Sequence, residues 1–187
     1  MPNQEVEIKF RIADVRELQK RLITAKFKVI TPRTHEMNTL YDLKGEPLKK
    51  RGDLLRLRKY GNEWVLTHKS KGTVGRHKTR TELETEITDG EKMNSILLAL
   101  GFSPTFRYEK FRAEWSDGKG KVVLDETPIG NFGEIEGKSH WIDQTARSLQ
   151  ISGADYITLS YTELFYDWRK RTRSAVSEMT FKAIRRK

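Results

Sequence analysis

The chain has 187 residues, 36 of them Lys or Arg and 26 Asp or Glu, giving a net charge of +10 and an isoelectric point near 9.7. With 36% hydrophobic residues, 10% aromatics and four tryptophans it has the apolar content for one core, which excludes a disordered chain. The absence of cysteine excludes disulfides, thiolate nucleophiles and sulfur-ligated metals, so any metal must sit on oxygen or on the four histidines.

The charge is unevenly placed. Residues 168–187 hold eight basic side chains against the single acid Glu178, a balance of +7, while the other 167 residues carry only +3. The sequence therefore reads as a near-neutral domain over 1–167 followed by a basic C-terminal extension over 168–187. The longest aliphatic run, Ile96 to Leu100, is five residues, against the ~20 of a membrane span. The amino terminus MPNQEVEIKF lacks the apolar stretch of a secretory signal, so the expectation is a cytoplasmic protein with no transmembrane segment.

Strict alternation begins at residue 5, with Val6, Ile8, Phe10 and Ile12 on one side and Glu5, Glu7, Lys9 and Arg11 on the other, the pattern of a half-buried strand. Val15, Leu18 and Leu22 then have helical spacing. Two strands follow: Leu55 and Leu57 oppose Arg56 and Arg58, and Val65, Thr67 and Lys69 share a face, with Tyr60-Gly61-Asn62 as the turn. Ser70 to Lys78, with Gly72 and Gly75, reads as a mobile loop. Beyond it Arg80, Glu82, Glu84 and Glu86 oppose Leu83 and Ile87. Met93, Ile96, Leu97 and Leu100 mark a second helix, and then Lys110, Arg112 and Glu114 oppose Phe111, Ala113 and Trp115. After the turn Ser116–Gly120, Asp125 ends one strand and Glu134 and Glu136 share a face of the next. Ile142, Ala146 and Leu149 give a third helix, and Ser160 with Glu163 has capping-box spacing at the start of a fourth.

Such alternation ordinarily means an open antiparallel sheet with one solvated side. Carboxylates at i, i+2 on three strands and several helices free to cover the apolar side favour a curled sheet instead, its charged face becoming a lumen. Residues i and i+2 lie roughly 7 Å apart on one face, so Glu5 with Glu7 and Glu134 with Glu136, joined by Asp125, can converge. Converging carboxylates raise one another's pKa unless a cation sits among them, and oxygen-only ligation suits Mg²⁺ or Mn²⁺. The other reading is that these acids simply pair with neighbouring Arg and Lys. Lys9, Arg56, Arg58, Lys69, Arg80, Lys110 and Arg112 form a basic set that a polyphosphate would relieve. DNA suits neither set, because the interleaved acids repel it. GxxxxGK[ST] and GxGxxG are both absent, which excludes the P-loop and dinucleotide folds. His35, His68, His77 and His140 show no ligand spacing and read as structural or exposed.

These residues resemble a known family. EVEIK at 5–9 is similar to the ExExK signature of the CYTH superfamily, which includes class IV adenylyl cyclases, thiamine triphosphatases and other triphosphatases. The resemblance continues in order through NTLYDL at 38–43, LRLR at 55–58, LTHK at 66–69, RTELETE at 80–86, KFR at 110–112, LDETPIGNFGEIE at 124–136 and SYTELF at 160–165. It implies an α+β fold: a closed eight-stranded antiparallel β-barrel, the triphosphate tunnel, with helices packed outside. It also implies metal on Glu5, Glu7, Glu134 and Glu136 with Asp125 alongside, and triphosphate on Lys9, Arg56, Arg58, Lys69, Arg80, Lys110 and Arg112. Glu82 and Glu84 support either set. To Tyr41 and Lys69 it gives the orientation of a water or protonation of a leaving group. The leading expectation is a Mg²⁺- or Mn²⁺-dependent triphosphatase; the alternatives are a class IV adenylyl cyclase and a non-catalytic polyphosphate or nucleotide binder. The tail lies outside the resemblance and is expected to be a solvated, partly helical extension, dispensable for catalysis; its functional alternative is electrostatic docking to an acidic partner, RNA or a membrane surface. A homodimer is compatible with the sequence.

Overall fold

The computed structural model describes residues 3–185. Met1, Pro2 and the tail residues Arg186 and Lys187 lie outside the described residues. The elements in chain order are β1 (Asn3–Arg11), α1 (Val15–Thr24), β2 (Lys28–Asp42), α2 (Pro47–Arg51), β3 (Leu54–Tyr60), β4 (Glu63–Lys69), β5 (Thr73–Val74), β6 (Lys78–Ile87), α3 (Gly90–Ala99), β7 (Ser103–Ser116), β8 (Lys121–Thr127), β9 (Gly130–Glu136), α4 (Ser139–Ser148), α5 (Tyr161–Thr172) and α6 (Phe181–Ile184).

The strands run antiparallel in the order β1-β9-β8-β7-β2-β3-β4-β6, and β1 pairs with β6 to close an eight-stranded barrel, as the two-signed strand faces predict. Closure depends on β1 serving two neighbours. Residues 3–7 pair with β6, setting Glu5 opposite Arg80, and residues 7–11 pair with β9, setting Lys9 opposite Glu134. At Gly133 a Cβ would stand 2.1 Å from the Phe10 ring, so only glycine lets β9 lie this close to β1. The loop expected over 70–78 is partly ordered as β5, whose two residues pair with Thr79 and Lys78 of β6.

The four expected helices form, and each has a local cause. Asp14 accepts the backbone N–H groups of Arg16 and Glu17 ahead of α1, whose Leu18 and Leu22 are buried. Asp89 caps α3. Here the expected apolar face is narrower than the sequence suggested: Met93 and Leu97 pack on Tyr41, Leu57, Trp64 and Leu66, and Ile96 and Leu100 are exposed to one side. The buried face of α4 joins α1 and the outer faces of β1, β8 and β9 in the largest core cluster. α5 begins with the capping box read from Ser160 and Glu163. The long strand β2 and the short helix α2 were not anticipated, while α6 falls in the tail expected to be partly helical.

The division at 167/168 needs correction. It falls inside α5, which runs to Thr172, and the following residues pack on the barrel instead of extending into solvent. The reason is β7. Its C-terminal half pairs with both β2 and β8, but β8 reaches only as far as Phe111, leaving residues 107–109 with a free edge. The tail fills it: the Met179 N–H donates to the Arg107 carbonyl at 3.0 Å, and the Glu109 N–H donates to the Met179 carbonyl at 3.0 Å. Met179 is 0% exposed, within a cluster of Phe106, Tyr108, Phe132, Tyr161, Leu164 and Phe165. The Phe181 ring packs tilted against Phe111 with centroids 5.5 Å apart, and the Phe181 backbone N–H donates to Glu109 Oε1. Among the described residues no helix is long and apolar enough to cross a membrane.

Candidate triphosphate site in the barrel lumen

The inward faces of the strands enclose a cavity of about 190 Å³ lined by nine basic and seven acidic side chains. Most form ion pairs across strands, and register decides which. Lys69 of β4 lies between β1 and β6 residues, with its ammonium 2.7 Å from Glu5 and 3.1 Å from Glu82. Arg56 and Arg58 of β3 reach Glu84 at 3.3 and 3.6 Å, and Thr67 donates to the same carboxylate. Lys9 pairs with Glu134 at 3.0 Å, and Arg112 reaches Glu134 at 2.6 Å from the other side. Arg80 lines the cavity without an ion pair among the described residues, its buried Nε lacking a partner.

The charge states follow from these neighbours. Burial opposes ionisation of Glu134, but Lys9, Arg112 and Lys110 overcome it and hold its carboxyl well below the ordinary range. Glu5 is likewise held low by Lys69 against burial. Burial and the carboxylates of Glu5 and Glu84 push Glu82 up to about 7, against the pull of Lys69. Glu136 is raised by burial and then by Glu5, Glu134 and Glu7. The four glutamates therefore divide into two held charged by their cation partners, Glu5 and Glu134, and two, Glu82 and Glu136, on which burial and the neighbouring carboxylates prevail.

The oxygen-only donor set fits a hard divalent cation. Glu7 and Glu136 line the cavity with no ion pair among the described residues, while Glu5 and Glu134 are engaged by Lys69, Lys9 and Arg112. Because of that engagement, no three acidic or histidine side chains form a ready-made metal cage among the described residues. A cation on the glutamates and an anion on the lysines would replace the same pairs of charges.

Two expectations for single residues are overturned. Asp125 shares the inward face with its register partner Arg112 but does not reach the cavity surface: it is 0% exposed beneath the lumen side chains, where it accepts from Lys110, Arg112 and Tyr161 at 2.6–2.9 Å. Its oxygens are saturated by these donors, so it anchors cations instead of ligating metal. Tyr41 points away from the lumen. It stands opposite Leu55 of β3, one step past the lumen-lining Leu40, so ordinary alternation turns it outward; 4% exposed, it packs in the outer cluster and donates to Asn94 of α3 at 2.6 Å. It is therefore no water-orienting group for the tunnel.

Four site residues escaped the sequence reading, the first being Lys121 of β8, which lines the cavity opposite Glu136 and reaches Glu114 at 3.9 Å. Lys78 lines the cavity two positions before Arg80, is 8% exposed, and has no ion pair among the described residues. Burial and then Arg80 push its ammonium below the ordinary lysine value. Extending the Arg80–Glu86 alternation one step back would have found it. Glu36 is fully buried on β2, held at about 2 against burial by Lys110 and Arg112, and accepts from Asn38 at 2.8 Å. Tyr161, read only as the residue after a cap, enters the wall from α5. Of the histidines, His35 bonds Glu109 outside the barrel and His77 bonds Asp143, both structural.

The profile of the CYTH domain covers residues 3–163, the barrel and the start of α5. The chain belongs to the CYTH domain family. A Methanocaldococcus jannaschii protein named "putative adenylate cyclase" is 29% identical to this CYTH chain over 171 residues, covering 86% of it and 97% of the relative. The structure of a "putative adenylate cyclase" from Vibrio parahaemolyticus superimposes with a TM-score of 0.80 at 20% identity, over 89% of this chain and 99% of that one. A "putative adenylyl cyclase" from Hippeastrum, described as revealing a dominant triphosphatase activity, gives 0.66 at 20% identity over 87% and 95%. At these identities the two structures speak for the CYTH fold alone.

Proposed function

We propose that this CYTH protein is a metal-dependent phosphohydrolase that takes a triphosphate into the barrel lumen, whether inorganic tripolyphosphate, thiamine triphosphate or a nucleoside triphosphate. The observation that carries the reading is the lumen itself, a closed wall on which nine cations and seven carboxylates face one small volume. Glu5, Glu7, Glu134 and Glu136 would hold Mg²⁺ or Mn²⁺, with Glu82 and Glu84 supporting the cations beside them. When bound, the metal would neutralise charge on the phosphate oxygens and polarise an attacking water. Lys9, Arg56, Arg58, Arg80, Lys110, Arg112 and Lys78 would grip the phosphates, the arginines in bidentate fashion. The wall excludes bulk water and so strengthens each of these contacts. Lys69 is catalytic in this account. Burial and Arg56 oppose its charge, but Glu5 and Glu82 raise its pKa, so it serves as a fixed positive charge on the leaving phosphate. Catalysis is then positioning and charge neutralisation, the usual requirement of phosphoryl transfer.

One observation favours a second reading. A cleft of about 360 Å³ shares Leu40, Leu54, Arg80, Ser160 and Thr162 with the lumen and adds Phe106 and Tyr166, so it has room for an organic group beside the phosphates. A class IV adenylyl cyclase, in which the ATP 3′-hydroxyl attacks the α-phosphorus, would use such a cleft for the nucleoside. A non-catalytic binder gains nothing from the acidic cluster.

Phosphate release from tripolyphosphate with Mg²⁺ or Mn²⁺ tests the hydrolase. Glu7 has no ion pair to lose, so Glu7→Gln is expected to fold normally and to bring turnover near background. Arg58→Ala is expected to raise KM about tenfold. Full activity in EDTA would overturn the metal-dependent account.

A further inference from the structure

Lys9, Lys110 and Arg112 bring three positive charges to one side of the lumen, where long side chains would ordinarily splay apart. Two of them meet a single aromatic residue directly, and the third is linked to it through Asp125. The Lys9 ammonium lies 4.8 Å and the Lys110 ammonium 4.7 Å from the centroid of the Tyr161 ring. The Tyr161 hydroxyl donates to Asp125 Oδ2 at 2.6 Å, and the same oxygen accepts from Lys110 at 2.9 Å and from Arg112 at 2.6 Å. We propose that Tyr161 is a positioning residue for the triphosphate site, its ring seating Lys9 and Lys110 and its hydroxyl fixing Arg112 through Asp125. The inference rests on the lumen as a triphosphate site and adds how its cations are held ready.

The ring is itself held on three sides. Tyr108 stacks against it at 5.9 Å, and Phe132 meets it edge-on at 5.7 Å. Its backbone opens α5 directly after the capping box of Ser160 and Glu163. An aromatic face attracts cations through its quadrupole and does so more strongly away from water. Tyr161 is 8% exposed, so both conditions hold. The carboxylate of Asp125 alone offers no comparable seat for Lys9, whose other contact is Glu134. Were Glu134 to hold a metal, the ring would remain as the contact directing Lys9 at the phosphates. Arrangement of the charges before substrate arrives spares the reorganisation that free lysines would require.

The test is tripolyphosphate binding by calorimetry on the full chain, alongside turnover. Tyr161→Leu removes ring and hydroxyl and is expected to weaken binding about tenfold. Tyr161→Phe keeps the ring and is expected to stay within about threefold of wild type. Leu164→Ala is the control: Leu164 is buried in the same cluster without being a lumen residue. It should lower Tm while leaving Kd within about twofold of wild type. A folded Tyr161→Leu that binds as wild type does, or a Leu164→Ala that weakens binding equally, overturns the proposal. Should Tyr161→Leu not fold, NMR decides, since wild type and Tyr161→Phe should both show ring-current shifts on the ε-methylenes of Lys9 and Lys110, and unshifted signals overturn it. Binding without turnover would remove the hydrolase reading and leave this one standing. Absence of binding by the wild type would remove both.

Discussion

At the scale of single residues the lumen is a set of opposed charges whose protonation is fixed by strand register. Glu82 is the exception that gives a pH signature. Its folded pKa of about 7 lies above its ordinary 4.5, so the fold favours the protonated form. The stabilising contribution is full below pH 4.5 and is lost as pH rises through 7. Glu82→Gln keeps a neutral group at every pH. Thermal denaturation across this window should therefore show wild type falling progressively behind Glu82→Gln as pH rises, whereas a constant difference would contradict the shift. The lumen cations other than Lys78 and Lys121 were legible in the sequence, because period-2 alternation alone assigns Lys9, Arg56, Arg58, Lys69, Arg80, Lys110 and Arg112 to one face. Asp125 was misplaced because alternation carries no record of how deep an inward residue sits beneath its neighbours, and the role of Tyr41 came from the resemblance alone, without a test of which face of β2 it occupies. Glu36 was missed because the stretch around it, His35-Glu36-Met37-Asn38-Thr39, is regular in register but mixes polar and apolar residues on its outward face, so no alternation marks the strand.

At the scale of elements, α5 and the tail make one unit that finishes the barrel wall. α5 carries Tyr161 to the lumen, and the segment after it lies against the free edge of β7 through Met179. Removing residues 174–187 uncovers that edge and Met179, whose burial is worth about 2 kcal/mol. The expected result is a fall in Tm of roughly 4–8 °C, with loss of triphosphate affinity as α5 loosens. A truncated chain with unchanged Tm and affinity would restore the tail to the dispensable role its charge first suggested. The caps of α1, α3 and α5 were open to sequence reading because each rests on residues within a few positions. The docking of the tail was not, since it depends on where β8 stops, a property of the barrel and not of residues 168–187.

At the scale of the whole molecule, closure turns a nearly neutral body into a strongly polar interior. The pairing of β1 with β6 sets ExExK-type alternation on one strand against cations from another. Net charge is a poor guide here, because the basic excess of the chain lies largely in the tail. The motifs at 5–9, 55–58, 66–69, 80–86 and 131–136 made the barrel legible before its coordinates, since each alternates about the same inside. What they leave open is the nucleophile, water or the 3′-hydroxyl of a nucleotide, because both would act on phosphates held by the same side chains.

Product analysis by ³¹P NMR separates these directly, with the full chain given tripolyphosphate and ATP in turn in the presence of Mg²⁺ or Mn²⁺. The account predicts orthophosphate from tripolyphosphate, suppressed by EDTA. Cyclic AMP with pyrophosphate from ATP, and tripolyphosphate left intact, would contradict it.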